Sequence, residues 1–246
     1  MKRTRGKNTL PAGMTLLGLA ALMVGPSSAE GMDLDLALCA PGQNSFTLVI
    51  DNPFFPLPVG QRWVLLGEED GQTIGLQITV LNKKNTFFAG AQKVTTRVVE
   101  EREWEDTNGN GLIDADERLR EVSLNYFAQT QHGTVCYFGE DVNIYANGVV
   151  VSHQGSWRAD SPGHAPGIFM PAAPTAGMRF QQEAAPGIAE DEATIIGSGT
   201  VEVPAGTFPD TIRVREFNPL DGDKGYKVYA RDVGLIVDAT LNLVSY

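Results

Sequence analysis

An all-β fold is predicted for this chain: a single antiparallel meander domain whose sheet is curved, rolled into a half-barrel or folded into a sandwich. Three observations predict it. Turn-forming Gly, Pro, Asn and Asp residues punctuate the sequence about every 8 to 12 residues. The runs between them alternate in polarity or are rich in Val, Ile, Thr, Tyr and Phe, side chains that suit a pleated, half-buried surface. No stretch of about ten residues repeats its apolar positions with the 3.6 period of an amphipathic helix.

Residues 1–29 are expected to lie outside this fold. Lys2, Arg3, Arg5 and Lys7 precede an apolar run from Met14 to Val24, and Ser27, Ser28 and Ala29 follow it, which is the three-part pattern of a secretory signal peptide. The run is shorter than the roughly 20 apolar residues that span a bilayer. Cleavage after Ala29 is therefore expected, giving an exported chain, periplasmic or extracellular, with no stable membrane insertion. Cys39 follows Asp33 and Asp35 instead of ending the apolar run, which argues against a lipid anchor. Residues 30–246 make the β-rich domain. Four of the 19 basic residues and none of the 30 acidic ones precede Glu30, so the remainder has 15 basic against 30 acidic residues, a formal charge of −15. Nucleic acid and anionic lipid surfaces repel such a chain, and neither is expected as a partner.

Within the domain the hairpins can be placed in order. Asp70-Gly71 turns the chain between "QRWVLLG" and "TIGLQITVL", and Asn147-Gly148 does so in "IYANGVVV". Both pairs supply the two positive φ angles that a tight hairpin turn demands. Asp221-Gly222 separates "TIRVREF" from "GYKVYARDVGLIV". The segment from Ser161 to Met178, with Pro162, Pro166, Pro171 and Pro174, reads as a long loop of the functional or disordered kind. Cys39 and Cys136 either form a disulfide, which an exported protein can keep, or leave Cys136 as a buried thiol between Val135 and Tyr137. Spacing leaves both open. Nothing electropositive surrounds Cys136 to hold a reactive thiolate.

The stretch "EDTNGNGLIDADER", residues 105–118, carries the most specific chemistry in the chain. Asp106, Asn108, Asn110, Leu112 through its carbonyl, Asp114 and Glu117 fall at the ligand positions of a twelve-residue calcium loop, residues 106–117, with Gly111 at the sharp turn. Calcium takes six to eight hard oxygens, and a final glutamate closes the shell with two of them. The bland alternative is an acidic, Asn-Gly-rich solvated turn. The flanks are not helical. "KVTTRVVEEREW" is rich in β-branched residues, and Val122, Leu124 and Tyr126 alternate with Glu121, Ser123 and Asn125 at strand period. The loop thus resembles an EF-hand ion cage set on a β-hairpin tip. Arg118 stands where an EF-hand wants an apolar residue, and the helix pair that a calcium sensor moves is missing. A structural clamp is expected. A dissociation constant on the order of 10 µM at about 1 mM calcium would stabilise the fold by about 2.7 kcal/mol.

Other chemistry is sparse. His132, His153 and His164 occupy separate segments and read as surface residues; His164, Met170 and Met178 share the long loop and offer soft ligands for copper as a remote alternative. Glu140 with Asp141, and Glu190 with Asp191 and Glu192, are paired carboxylates that read as solvated turns, or as glycosidase-type acids or a second cation site. "GSGT" at residues 197–200 lacks the lysine of a phosphate loop. No constellation meets the mutual requirements of an enzyme site. No enzyme activity is expected; a hydrolase would need two carboxylates converging in one cleft.

The phrases "DNPFFPLPVGQRWVLLG", "YFAQTQHGTVCYFGED", "GSWRADSPGHAPGIFMPAAPTAGMRF", "QEAAPGIAEDEA", "VPAGTFPDTIRVREFNPL" and "GYKVYARDVGLIV" resemble a group of exported bacterial proteins of unknown function. The likeness runs from about Asp51 to Val237 and implies one β-rich domain outside the cytoplasm; it carries over no catalytic residues, since none are established for the group. It also implies a tryptophan at the Cys136 place, against a disulfide shared by that group. The last two phrases also look like meanders of envelope proteins with a curved half-barrel, some of which hold acyl chains. Two readings result: an exported, non-enzymatic calcium-binding β domain, and a periplasmic carrier of an apolar small molecule or lipid, with the 161–178 loop closing its groove.

Overall fold

The computed structural model describes residues 31–246, so the proposed signal segment lies outside them. The strands in chain order are β1 (Met32–Asp33), β2 (Phe46–Thr47), β3 (Arg62–Glu69), β4 (Gln72–Ala89), β5 (Gln92–Glu105), β6 (Arg118–Thr130), β7 (Val135–Ala146) and β8 (Val149–Ser152). They continue as β9 (Trp157–Arg158), β10 (Gly167–Met170), β11 (Met178–Gln181), β12 (Glu192–Val203), β13 (Gly206–Phe217), β14 (Lys224–Ala230), β15 (Gly234–Asp238) and β16 (Leu241–Ser245). Among the described residues there is no α-helix; one 3-10 turn spans Leu36–Cys39.

Strands β3 to β7 form one antiparallel meander and β12 to β16 a second. The two meet where β16 pairs antiparallel with β3, Leu243 opposite Leu65. One curved sheet results, which does not close into a barrel. Its two ends, β10 beside β7 and β11 beside β12, approach each other through a bridge between Ala165 and Ala184. The pairing of β1 with β11 is parallel, a departure from the all-antiparallel expectation confined to two residues.

The turns do what their dipeptides dictate. Asp70 and Gly71 have φ of 51° and 79°, and Asn147 and Gly148 have 53° and 76°. Curvature comes from bulges such as the register shift between Leu81 and Lys84 in β4, where Asn82 and Lys83 are extra relative to β5 and increase local twist.

Alternation then sorts the side chains. Trp63, Leu65, Leu76, Ile78, Val99, Phe127, Tyr137, Ile195, Val214 and Tyr229 belong to the interior core. Phe55 and Phe169 join it from outside the two meanders, Phe169 with ring centroids 4.8 Å from Phe127 and 4.5 Å from Phe55. Aromatic burial of this kind is worth roughly 1.5–3 kcal/mol per side chain.

The 161–178 segment is more regular than a loop. Residues 167–170 form β10, with Ile168 and Met170 buried, and pair with β7. Gly167 permits it, since a Cβ there would lie 1.8 Å from the Gln182 carbonyl oxygen. Cys39 and Cys136 are disulfide-bonded with Cα atoms 5.6 Å apart, which pins the 3-10 turn to β7.

Candidate functional site

The 106–117 loop joins β5 to β6, so it stands at a hairpin tip between two strands. Asp106 is 2% exposed at its root. Its carboxylate accepts from the backbone N–H groups of Gly109 (2.6 Å) and Gly111 (2.8 Å), and so sets the sharp turn. Gly109 and Gly111 have φ of 71° and 72°, where a side chain is strained. The Asn108 and Asn110 amides both donate to Asp114 Oδ2 at 2.8 Å. These two hydrogen bonds, Asn108 first, hold the Asp114 carboxyl below its ordinary pKa. Glu117 returns to the start of the loop, accepting from Thr107 N at 2.9 Å and from Asp114 N at 3.0 Å. Leu112 is exposed and its N–H donates to Asn110 Oδ1 at 2.7 Å.

The structure therefore gathers the predicted side chains of Asp106, Asn108, Asn110, Asp114 and Glu117 into one interlocked loop. Every one offers a hard oxygen, the chemistry that calcium selects. Among the described residues, no three of His, Cys, Asp or Glu gather tightly enough to hold a metal by themselves. A cation shell here would need the Asn108 and Asn110 amides and the Leu112 carbonyl to complete it. An amide presents oxygen or nitrogen by a half-turn of its terminal torsion, so the same two side chains can donate to Asp114 or offer oxygens to a cation.

The loop folds back over the outer face of the join between the meanders. A Cβ on Gly111 would touch Val64 Cγ1 at 3.5 Å and Leu66 Cδ1 at 3.6 Å of β3, and Val244 Cγ2 at 3.8 Å of β16. Trp104, fully buried, lies against Gly75 of β4 and stands apart from the main core, as does Val64.

A second constellation, on the inner face, was not recognisable in the sequence. Glu101 of β5 lies opposite Ser123 of β6, and Asn125 lies opposite Glu140 of β7. Across the concavity are Glu216 of β13, Lys227 of β14 and Asp238 of β15, with Glu183 and Asp191 between β11 and β12. Lys227 Nζ is 3.0 Å from Glu216 Oε2 and 3.9 Å from Asp238 Oδ2. Burial alone would pull its pKa down, but Asp238 and Glu216 outweigh that and hold it above the ordinary lysine value. Burial pushes Glu101 and Glu183 up to about 7; neighbouring Asp191 raises Glu183 further, and Lys227 opposes the rise in both. Burial and the nearby Glu183 and Glu101 likewise raise Glu140 well above the usual range. Tyr137 donates a hydrogen bond to Asn125 Oδ1 beneath this group.

Of the paired carboxylates noted in the sequence, one member of each group turns inward, Glu140 and Asp191. Asp141 and Glu192 are exposed, and Glu190 accepts from Gly187 N at 2.9 Å. The histidines do not converge on this cleft: His153 Nδ1 is 2.8 Å from the Val142 carbonyl and His164 Nδ1 is 3.0 Å from that of Arg158. Met170 is 1% exposed in the core. No family model, curated protein or solved structure matches this chain.

Proposed function

We propose that this is an exported, non-enzymatic calcium-binding β domain in which the ion stabilises the β5–β6 loop. The observation that carries the reading is the full oxygen series of Asp106, Asn108, Asn110, Leu112, Asp114 and Glu117 on a loop laid over the β3–β16 join. When bound, calcium would supply an electrostatic tie between the two halves of the loop. The protein's own part is to hold the turn through Asp106 and to return Glu117 to the loop's beginning. An ion there would secure the place where the two meanders meet, which suits a clamp and not a moving sensor.

Terbium titration of the protein lacking residues 1–29 tests it, with Trp104 as the sensitiser two residues before the loop. Saturable emission displaced by calcium, and abolished by Asp106→Ala, is expected. Emission that persists unchanged in that variant would place the ion elsewhere and remove the reading.

The carrier reading has less support. Beside the aromatic core the interior leaves a cavity of about 40 Å³ among Phe55, Trp63, Phe169, Tyr229 and Leu235, with Glu101, Lys227 and Asp238 also on its wall. That is room for about three waters, and an acyl chain needs many times more.

A further inference from the structure

We propose that the distal half of the β4–β5 hairpin, with the groove between it and residues 44–48, docks an extended acidic segment of a partner protein, which adds as a strand to the open edge of β5. The groove has a volume of about 610 Å³ and is walled by residues 44–48 on one side and 92–95 on the other.

The strand pairing leaves this edge open. β6 pairs with β5 only from Arg97 onward, and past Phe127 it takes β2 as its neighbour, with Gln129 opposite Thr47. Residues 92–96 of β5 therefore have β4 on one side and no strand on the other among the described residues. At about 3.3 Å per residue that is about 16 Å of edge. The hairpin closes on Ala89 opposite Gln92, so Gln92, Val94 and Thr96 bond to β4 while the backbone groups of Lys93 and Thr95 face away. The N–H of Phe88, the cross-strand partner of Lys93, points off the β4 edge to Asp160 Oδ2 at 3.3 Å, as this alternation requires. Among the described residues, Lys93 and Thr95 make no backbone hydrogen bond outside the strand ladders.

Charge selects the strand that fits. From Gly71 to Val99 the chain holds Lys83, Lys84, Lys93 and Arg97 and no acid, although acids outnumber bases 30 to 19 overall. The three lysines are exposed, and none of the four basic groups forms an ion pair among the described residues. Asp160, the acid that touches this hairpin, is itself paired with Arg158 at 3.2 Å. Arg97 is 8% exposed, and of its guanidinium only Nη2 has a partner, the carbonyl of Leu48 on the groove's wall at 3.4 Å. A buried charge left uncompensated is costly. Arg97 acts on the groove by its field from behind that wall, and an anion there offsets it.

Salt screens charges beyond about 8 Å under physiological conditions, so a short strand in the groove responds to these lysines and not to the acids of the remaining molecule. A long polyanion such as nucleic acid meets those acids as well. Lysines on an open edge discourage pairing with apolar strands, but they favour a strand that sets carboxylates beside them. Alternate residues of the added strand lie next to Lys93 and Thr95 on the solvent side, and the intervening ones next to buried Val94. The fitting sequence alternates acidic with β-branched residues, recognised by strand addition to a sheet edge.

The test is fluorescence anisotropy of a labelled Asp-Val-Asp-Val-Asp-Val peptide titrated with the purified protein. The controls are a Lys-Val peptide of the same length, the acidic peptide N-methylated at every residue, and oligothymidylate. Lys84→Glu with Lys93→Glu reverses the charge, and Thr95→Pro removes an edge donor that the β4 ladder does not use; thermal melts establish that each variant folds. Saturable binding of the acidic peptide is expected, weakened about tenfold or more in either folded variant and weakened again at about 0.5 M salt. No binding at about 1 mM protein, equal binding of the Lys-Val or N-methylated peptide, or unchanged affinity in both variants would overturn it. So would tighter binding of oligothymidylate, or self-association of the protein that the charge reversal abolishes, since the occupant would then be a nucleic acid or a second copy.

Discussion

At Asp106 the turn of the loop and its proposed ion chemistry depend on one carboxylate, whereas at Glu117 they can be separated. Asp106→Ala leaves the Gly109 and Gly111 N–H groups without acceptors, one of them buried, which costs about 1–3 kcal/mol even in chelator. Glu117→Gln loses the charge and keeps one oxygen, enough to accept from Thr107 N or from Asp114 N but not from both. It should cost about 1 kcal/mol in chelator and in addition lose most of the roughly 2.7 kcal/mol that about 1 mM calcium would add at a dissociation constant of about 10 µM. Urea denaturation with and without calcium measures this, and equal losses in both conditions would rule out the ion's part. The interior acids make a different prediction. Their folded pKa of about 7 for Glu101 and Glu183 lies above the ordinary 4.5, so the native state holds more protons between those values. Their contribution to stability is full below about pH 4.5 and is lost as pH rises through 7. The urea midpoint should fall from pH 5 to pH 7.5 in wild type, and more shallowly in Glu101→Gln. Asp114 titrates below this window and does not obscure it.

Strand and turn chemistry explains which elements the sequence discloses. Asp70-Gly71 and Asn147-Gly148 declare their hairpins because few other pairs tolerate two positive φ angles, and the calcium loop is legible because its ligands are contiguous. β10 was hidden: four residues between prolines carry no periodicity, and their partner in β7 is remote in sequence. Its Gly167 reads as loop flexibility but serves close approach. Gly75 is similar, for a Cβ there would lie 2.3 Å from Trp104 Cζ2. Gly75→Ala should therefore displace a buried indole and cost about 1–3 kcal/mol, readable from the denaturation midpoint and from the Trp emission wavelength. The Cys39–Cys136 bond could not be decided from spacing, since what decides it is the sheet that brings the 3-10 turn against β7. Reducing it should cost about 4–5 kcal/mol in the chain-entropy account, measured by denaturation of the Cys39→Ser, Cys136→Ser pair.

For the whole molecule, all-β class and meander connectivity follow from local pattern, but the joining of two meanders into one sheet does not. Nothing in "QRWVLLG" or "LNLVSY" says that they pair. The interior acids were illegible for the same reason. Glu101, Glu140, Glu183 and Glu216 look like scattered surface charge in a chain rich in acids, and they meet only because the sheet curves. The β3–β16 join has a measurable signature. Chelating calcium should speed hydrogen exchange at Val64, Leu65 and Leu243 more than at Phe127 or Tyr137, and a uniform change would count against the clamp.

That join also orders the making of the protein. β3 is among the first long strands to be synthesised, yet its partner on one edge arrives only with β16, after both meanders have been made. Each meander can assemble from neighbouring strands, but the pairing that unites them spans most of the chain and must be formed late. For a chain exported unfolded, as the proposed signal segment would imply, this delay would be protective. If the chain is exported as proposed, the final closure would take place outside, where calcium is plentiful, and the loop proposed to bind it lies over the edge that was waiting.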